Sequence, residues 1–200
     1  MLIFLASTAI LVLFGLAVMT NASIPMSQSK HGESFYYLKH QIIYGAGLGL
    51  LAFFLCSRFN HNRLKKLALP FLLLTVILLI LVFVPQIGYR SGGANRWINV
   101  FNFSFQPSEF AKLAIIIYLA SWLESKKDKI KNTALLVPFL FWLGLIGGLV
   151  LMEPDMGTFL IICAVALGMY FAAGAKIKTL AALFLVGVVA LGALIAAEPY

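Results

Sequence analysis

Charge is what this sequence most lacks. Only 11% of its 200 residues are Asp, Glu, Lys or Arg, and 62% are hydrophobic. Soluble domains carry roughly a quarter charged residues, so the deficit excludes an ordinary soluble helical core. It fits a chain whose solvent is mostly hydrocarbon, where an unpaired charge costs on the order of 3 kcal/mol at the bilayer centre. Acidic residues are scarcer still, seven against fifteen basic ones, for a net charge of +8. In a soluble protein that balance would suggest nucleic acid as a partner. Here the basic residues lie in short segments between apolar runs, which membrane orientation explains and a nucleic-acid footprint does not. Cysteine is nearly absent. Cys56 and Cys163 fall within or at the edge of apolar segments, as small packing residues and not as a disulfide or metal site. Zinc spacing, a phosphate-binding loop and a Ser-His-Asp pattern are all missing. The first apolar run starts at Met1 without the basic flank of a cleaved signal peptide, so it reads as a helix that stays attached.

Long apolar runs are what the chain has in plenty. A spanning helix needs about 20 mainly apolar residues. Seven segments predict such helices: Leu2–Thr20, Gln41–Ser57, Leu67–Val84, Gln106–Leu123, Ala134–Met152, Met156–Ala175 and Thr179–Ala197. The runs are continuous and not alternating, so helices are expected and a β-barrel is not. The fold class is therefore all-α, a polytopic membrane helix bundle forming a single transmembrane domain over residues 1–200, with no linker, soluble domain or internal repeat. Three connecting segments hold ten basic residues: Arg58, Arg63, Lys65 and Lys66; Lys126, Lys127, Lys129 and Lys131; Lys176 and Lys178. The alternate connections hold Lys30, Lys39, Arg90 and Arg96. That asymmetry places the first set, and the amino terminus, in the cytoplasm, with Tyr200 on the outer side. Asn21–His40 and Pro85–Phe105 become outer loops, and Tyr36, Tyr37, Tyr89 and Trp97 interfacial aromatics.

Ionisable residues inside membrane segments are candidates for function. Glu109 and Lys112 are three apart, so they share a helix face and can pair. Lys112 also suits a structural role, snorkelling to the interface. Pro107-Ser108-Glu109 reads as a helix start, with Glu109 at the positive end of the helix dipole. Asp155, in Glu153-Pro154-Asp155-Met156-Gly157-Thr158, can cap the sixth helix. By the basic-residue count, Arg96, Glu109, Lys112 and Asp155 approach one surface from three segments. Such a set could hold an anionic lipid headgroup, with or without a divalent metal. Three unrelated helix-end devices would leave the same pattern.

These residues carry a resemblance. Gly93-Ala94-Asn95-Arg96-Trp97-Ile98 followed by Gln106-Pro107-Ser108-Glu109-Phe110-Ala111-Lys112-Leu113 resembles a signature of the SEDS family, the peptidoglycan polymerases that include FtsW, RodA and SpoVE. Glu153-Pro154-Asp155-Met156-Gly157-Thr158 is similar to another, with Glu where Gln is usual. Gly15–Met19 before Ala22-Ser23, with Asn21 where Ser is usual, Lys39-His40-Gln41, and Glu198-Pro199-Tyr200 match further family segments in order. The Tyr36–Gln41 region is more similar to FtsW than to RodA. The resemblance implies a ten-helix fold, of which seven helices are present here. It implies a glycosyltransferase polymerising undecaprenyl-linked lipid II at the outer face of the bacterial inner membrane, in cell division or elongation. It also implies a class B penicillin-binding transpeptidase and other division or elongation proteins as partners. The family's proposed catalytic Asp is expected beyond Tyr200, so Arg96, Glu109, Lys112 and Asp155 are substrate-binding candidates, and residues 1–200 alone are expected to be inactive. Two other readings compete. A lipid II flippase or secondary transporter would place its charges near the midplane, whereas these cluster towards one face. A non-catalytic divisome scaffold is the third.

Overall fold

The structure, a computed structural model, describes residues 2–58, 60–91, 94–100, 103–130 and 132–197. Gly93, Lys131 and Glu198–Tyr200, named above, lie outside the described residues. The chain divides into two compact units, Met1–Asn60 and His61–Tyr200. Seven long helices are described: α1 Leu2–His31 and α2 Tyr36–Ser57 in the first unit, then α3 His61–Leu81, α4 Pro107–Ser125, α5 Leu136–Met152, α6 Met156–Ala172 and α7 Ile177–Ala197 in the second. By length and composition, Leu2–His31, Tyr36–Ser57, Asn62–Leu81 and Thr133–Met152 can each cross a membrane, and α6 and α7 contain shorter apolar stretches. The all-α helical fold matches the expectation, but Pro107–Ser125, expected to span as Gln106–Leu123, is not among the helices long and apolar enough to do so.

In the first unit α1 runs past its expected end at Thr20 to His31, so most of the first expected outer loop is helix. Its polar residues do not break the helix because they bond within it. Thr20 Oγ1 donates to the Leu16 carbonyl, and Asn21 Nδ2 to that of Ala17. Thirty residues span about 45 Å, more than the hydrocarbon core of about 30 Å, so one end of α1 projects beyond it. Gly32, at φ +70°, closes the helix, and its N–H donates to the Gln28 carbonyl. The buried Ser27 hydroxyl then ties the turn, donating to the Glu33 carbonyl and accepting from the Tyr36 N–H. Helix α2 starts at Tyr36, ahead of the expected Gln41, and widens into a π-helical segment over Gln41–Gly47.

The second unit is built around α4, which packs on α3 and α6. Ala111, Ala114, Ile115, Leu119 and Leu123 recur at helical spacing and are buried. They meet Leu72 and Leu79 of α3, Phe139, Ile146 and Val150 of α5, and Ile162, Ala166 and Tyr170 of α6 in one core. The Phe139 and Tyr170 rings stack with centroids 4.8 Å apart. Gly147 of α5 lets the Phe159 ring approach, since a Cβ there would lie 2.9 Å from it. Lys65 of α3 pairs with Glu124 of α4 at 2.6 Å, joining the start of one helix to the end of the other. Arg63, Lys65 and Lys66, expected in a loop, therefore lie in the first turns of α3.

The expected loop Pro85–Phe105 is the largest departure. It contains a three-stranded antiparallel sheet, β1 Gly88–Ser91, β2 Ala94–Val100 and β3 Phe103–Phe105. Gly88 pairs with Ile98 and Tyr89 with Trp97, a bulge follows, and Ile98 pairs with Phe105. The run Phe101-Asn102-Phe103-Ser104-Phe105 alternates apolar and polar residues, a strand signal that the loop expectation passed over, and pairing satisfies the backbone of the described strands.

Candidate functional site at one end of the second unit

The sheet aims Arg96. Arg96 is the extra residue of the bulge, unpaired between Asn95, opposite Arg90, and Trp97, opposite Tyr89, and such a bulge re-aims a side chain. Ile98, two residues on, is buried and holds the strand against the protein. Arg96 Nε donates to the Glu153 carbonyl at 3.0 Å, and Nη2 to the Pro154 carbonyl at 2.6 Å. One guanidinium thus holds the α5–α6 turn by two adjacent carbonyls. Gly88 makes the strand fit, because a Cβ there would stand 1.9 Å from the Val82 carbonyl oxygen.

The turn presents Asp155, which caps α6 as expected. Its Oδ1 accepts from the Thr158 N–H at 3.0 Å, and its Oδ2 from the Thr158 hydroxyl at 2.9 Å. Oδ2 also accepts from Gln106 Nε2 at 3.0 Å. Gln106 immediately precedes α4, which opens on Pro107. One turn further on, Lys112 Nζ lies 2.8 Å from Glu109 Oε1, the pair predicted from their spacing. Glu109 keeps 57% of its side chain exposed and Lys112 26%.

Beside them sits a buried acid. Glu153 is fully buried, and neither of its carboxyl oxygens has a hydrogen-bond partner. Burial, reinforced by the nearby Asp155 carboxylate and opposed by Arg96, pushes its pKa up from 4.5 to about 8. The Ser108 hydroxyl, in the first turn of α4, is also buried without a partner.

The four sequence candidates therefore come to one end of this unit as two linked contacts. Arg96 holds the turn that carries Asp155, and Asp155 is tied through Gln106 to the start of the helix that carries Glu109 and Lys112. The hydrogen bonds and ion pairs of the described residues include no direct link between Lys112 and Asp155. Sequence reasoning missed Gln106, Thr158 and Glu153. Thr158, three residues after a capping Asp, carried a local signal; the roles of Gln106 and Glu153 carried none. Among the described residues, no three His, Cys, Asp or Glu side chains gather where they could hold a metal ion.

Membrane helices converging on a charged turn and a short sheet define a polytopic membrane protein whose polar site lies at one end of its helices. The chain belongs to the FtsW/RodA/SpoVE family, described as cell cycle proteins, whose model matches residues 1–200. It is therefore a multi-pass bacterial membrane protein. It is 40% identical over 178 residues to a probable peptidoglycan glycosyltransferase FtsW of Geobacter sp. (strain M18), covering 88% of this chain and 48% of that protein. It is 37% identical over 188 residues to the protein of that name from Haemophilus influenzae, covering 93% and 45%. The chain thus spans about half the length of these curated relatives. Among solved structures it is similar to the Thermus thermophilus rod shape determining protein RodA, with a TM-score of 0.69, 30% identity, and 91% of this chain and 57% of that one covered. It also resembles a chain from a structure titled for a peptidoglycan synthase complex that coordinates polymerization and crosslinking, with a TM-score of 0.66, 29% identity, and 94% and 56% covered.

Proposed function

We propose that this chain is part of a peptidoglycan glycosyltransferase that polymerises lipid II at the outer face of the inner membrane, with its amino terminus in the cytoplasm and both units belonging to one transmembrane domain. One observation carries the reading. Arg96 and Asp155, from different segments, are fixed by hydrogen bonds against the α5–α6 turn and the start of α4. In glycosyl transfer from a lipid diphosphate, a base takes the acceptor hydroxyl proton, and cations offset charge on the departing diphosphate. Arg96 has five N–H donors, of which two hold the turn, so the others can meet phosphate oxygens. Lys112 adds a second cation, oriented by Glu109. Asp155, already an acceptor, orients a sugar hydroxyl or a bound headgroup. The base itself is expected in the outer loop that follows these helices in the family.

Placing the site at a helix end suits a substrate whose tail stays in the bilayer while its sugars stay in water. A class B penicillin-binding transpeptidase is the partner we propose, supported by the complex named for one structural neighbour. The FtsW names of the curated relatives favour division over elongation. Polymerisation of labelled lipid II by the purified full-length protein tests the reading. Flipping of lipid II in proteoliposomes without any glycan product would replace it with the transporter reading.

A further inference from the structure

We propose that Glu153 is held as a neutral carboxylic acid and acts as a positioning residue, keeping Arg96 on the carbonyls of the α5–α6 turn and thereby fixing Asp155. The inference rests on the reading of Arg96 and Asp155 as binding residues. Its geometry is independent of that reading. Glu153 is fully buried and both its oxygens lack partners. A buried carboxylate anion left in that state is one of the costliest arrangements a protein can hold, so the group neutralises instead. Arg96 confirms the choice. A guanidinium beside an ionised carboxylate takes the bidentate, charge-assisted pairing, yet Arg96 passes over the Glu153 carboxyl and binds the backbone carbonyls of Glu153 and Pro154.

The charged groups bearing on Glu153 are Asp155 on its own turn, which disfavours a second negative charge, and Arg96 on β2, which favours it. On α4, Glu109 and Lys112 are paired with each other. Ionising Glu153 supplies Arg96 with an anion in place of two carbonyls. The guanidinium then leaves the turn, and Asp155 loses its fixed position.

The sign of the pH effect follows. Glu153 ionises at 4.5 when unfolded and at about 8 when folded. Between those values the folded state holds the extra proton, so stability falls as pH rises from 4.5 to 8 and levels off above. Activity follows the neutral fraction, which drops about tenfold between pH 7 and pH 9 for a group titrating near 8.

The experiment compares full-length wild type with Glu153→Gln, which keeps a neutral planar group of the same size. Thermal unfolding from pH 5 to 9 and lipid II polymerisation over the same range are measured. The variant is expected to lack the wild type's fall in Tm between pH 5 and 8, to melt higher than wild type at pH 8, and to lose the tenfold alkaline fall in rate. Equal Tm slopes in the two proteins, or a variant melting lower than wild type at pH 8, would overturn the proposal, because either shows Glu153 working as an anion. A full-length protein with no polymerase activity but with the expected Tm difference would overturn the polymerase reading and uphold neutral Glu153.

Discussion

Arg96 and Glu153 stand 57 positions apart in the chain and are joined by a 3.0 Å hydrogen bond from the guanidinium to the backbone carbonyl. The bond goes to the main chain and not to the carboxyl, so Arg96 shapes the turn itself. Whatever stands at 153 as a side chain, the carbonyl remains. What Arg96 fixes is the position of the next acidic residue, Asp155, at the head of α6.

Asp155 then has two duties that substitution can separate. It accepts from Thr158 within α6 and from Gln106 before α4. Asp155→Ala removes the cap and the cross-connection together, with an expected loss of about 2 kcal/mol. Asp155→Asn keeps one acceptor oxygen for the Thr158 N–H and should recover about half of that loss. Polymerisation should fall sharply in both, because neither has the charge. Thermal unfolding and turnover of the full-length variants check this, and full activity in Asp155→Asn would reduce Asp155 to a cap.

Lys112→Met tests the other contact. The Glu109–Lys112 pair is partly open to solvent, and such pairs contribute about 0–1 kcal/mol. Methionine keeps the apolar stem that packs at the helix surface. The variant should insert and accumulate as wild type while losing most of its polymerase activity. Normal polymerisation would make Lys112 a snorkelling residue only.

Gly88→Ala probes the sheet that aims Arg96. The added methyl would meet the Val82 carbonyl oxygen at 1.9 Å, so backbone must move. A loss of about 2 kcal/mol is expected, with reduced activity because β1 positions β2. Gly144→Ala in α5 is the control, since a Cβ there meets nothing within 4 Å. It should be neutral or stabilise by up to about 1 kcal/mol. Parallel melting curves distinguish the two sites.

Orientation is tested by single-cysteine labelling in intact cells. Lys129→Cys should resist an impermeant reagent applied from outside, because the basic excess around Lys126–Lys129 marks that end as cytoplasmic. Asn95→Cys, in the exposed part of β2 at the other end of this unit, should react. Labelling of position 129 from outside would invert the topology and move the candidate site to the cytoplasm.

The sequence by itself determined the membrane class, the seven helices and the local devices. Continuous apolar runs can satisfy their backbone only as helices in hydrocarbon. Glu153-Pro154-Asp155 ended α5 at Met152 and began α6 at Met156, as expected, because cap and turn chemistry acts over three or four residues. The Glu109–Lys112 pair was legible for the same reason. Tertiary structure decided the rest. Helix α1 outran its apolar stretch because Thr20 and Asn21 bond back to their own helix. The sheet in Pro85–Phe105 was only partly legible: Phe101-Asn102-Phe103-Ser104-Phe105 alternates as a strand does, but the register and the bulge at Arg96 depend on cross-strand partners. Whether Arg96 meets a ligand, a carboxylate or a carbonyl, and whether Glu153 is charged or neutral, depends on which groups stand beside them and how much water is left. Those facts are set by segments 57 residues away, and no local pattern records them.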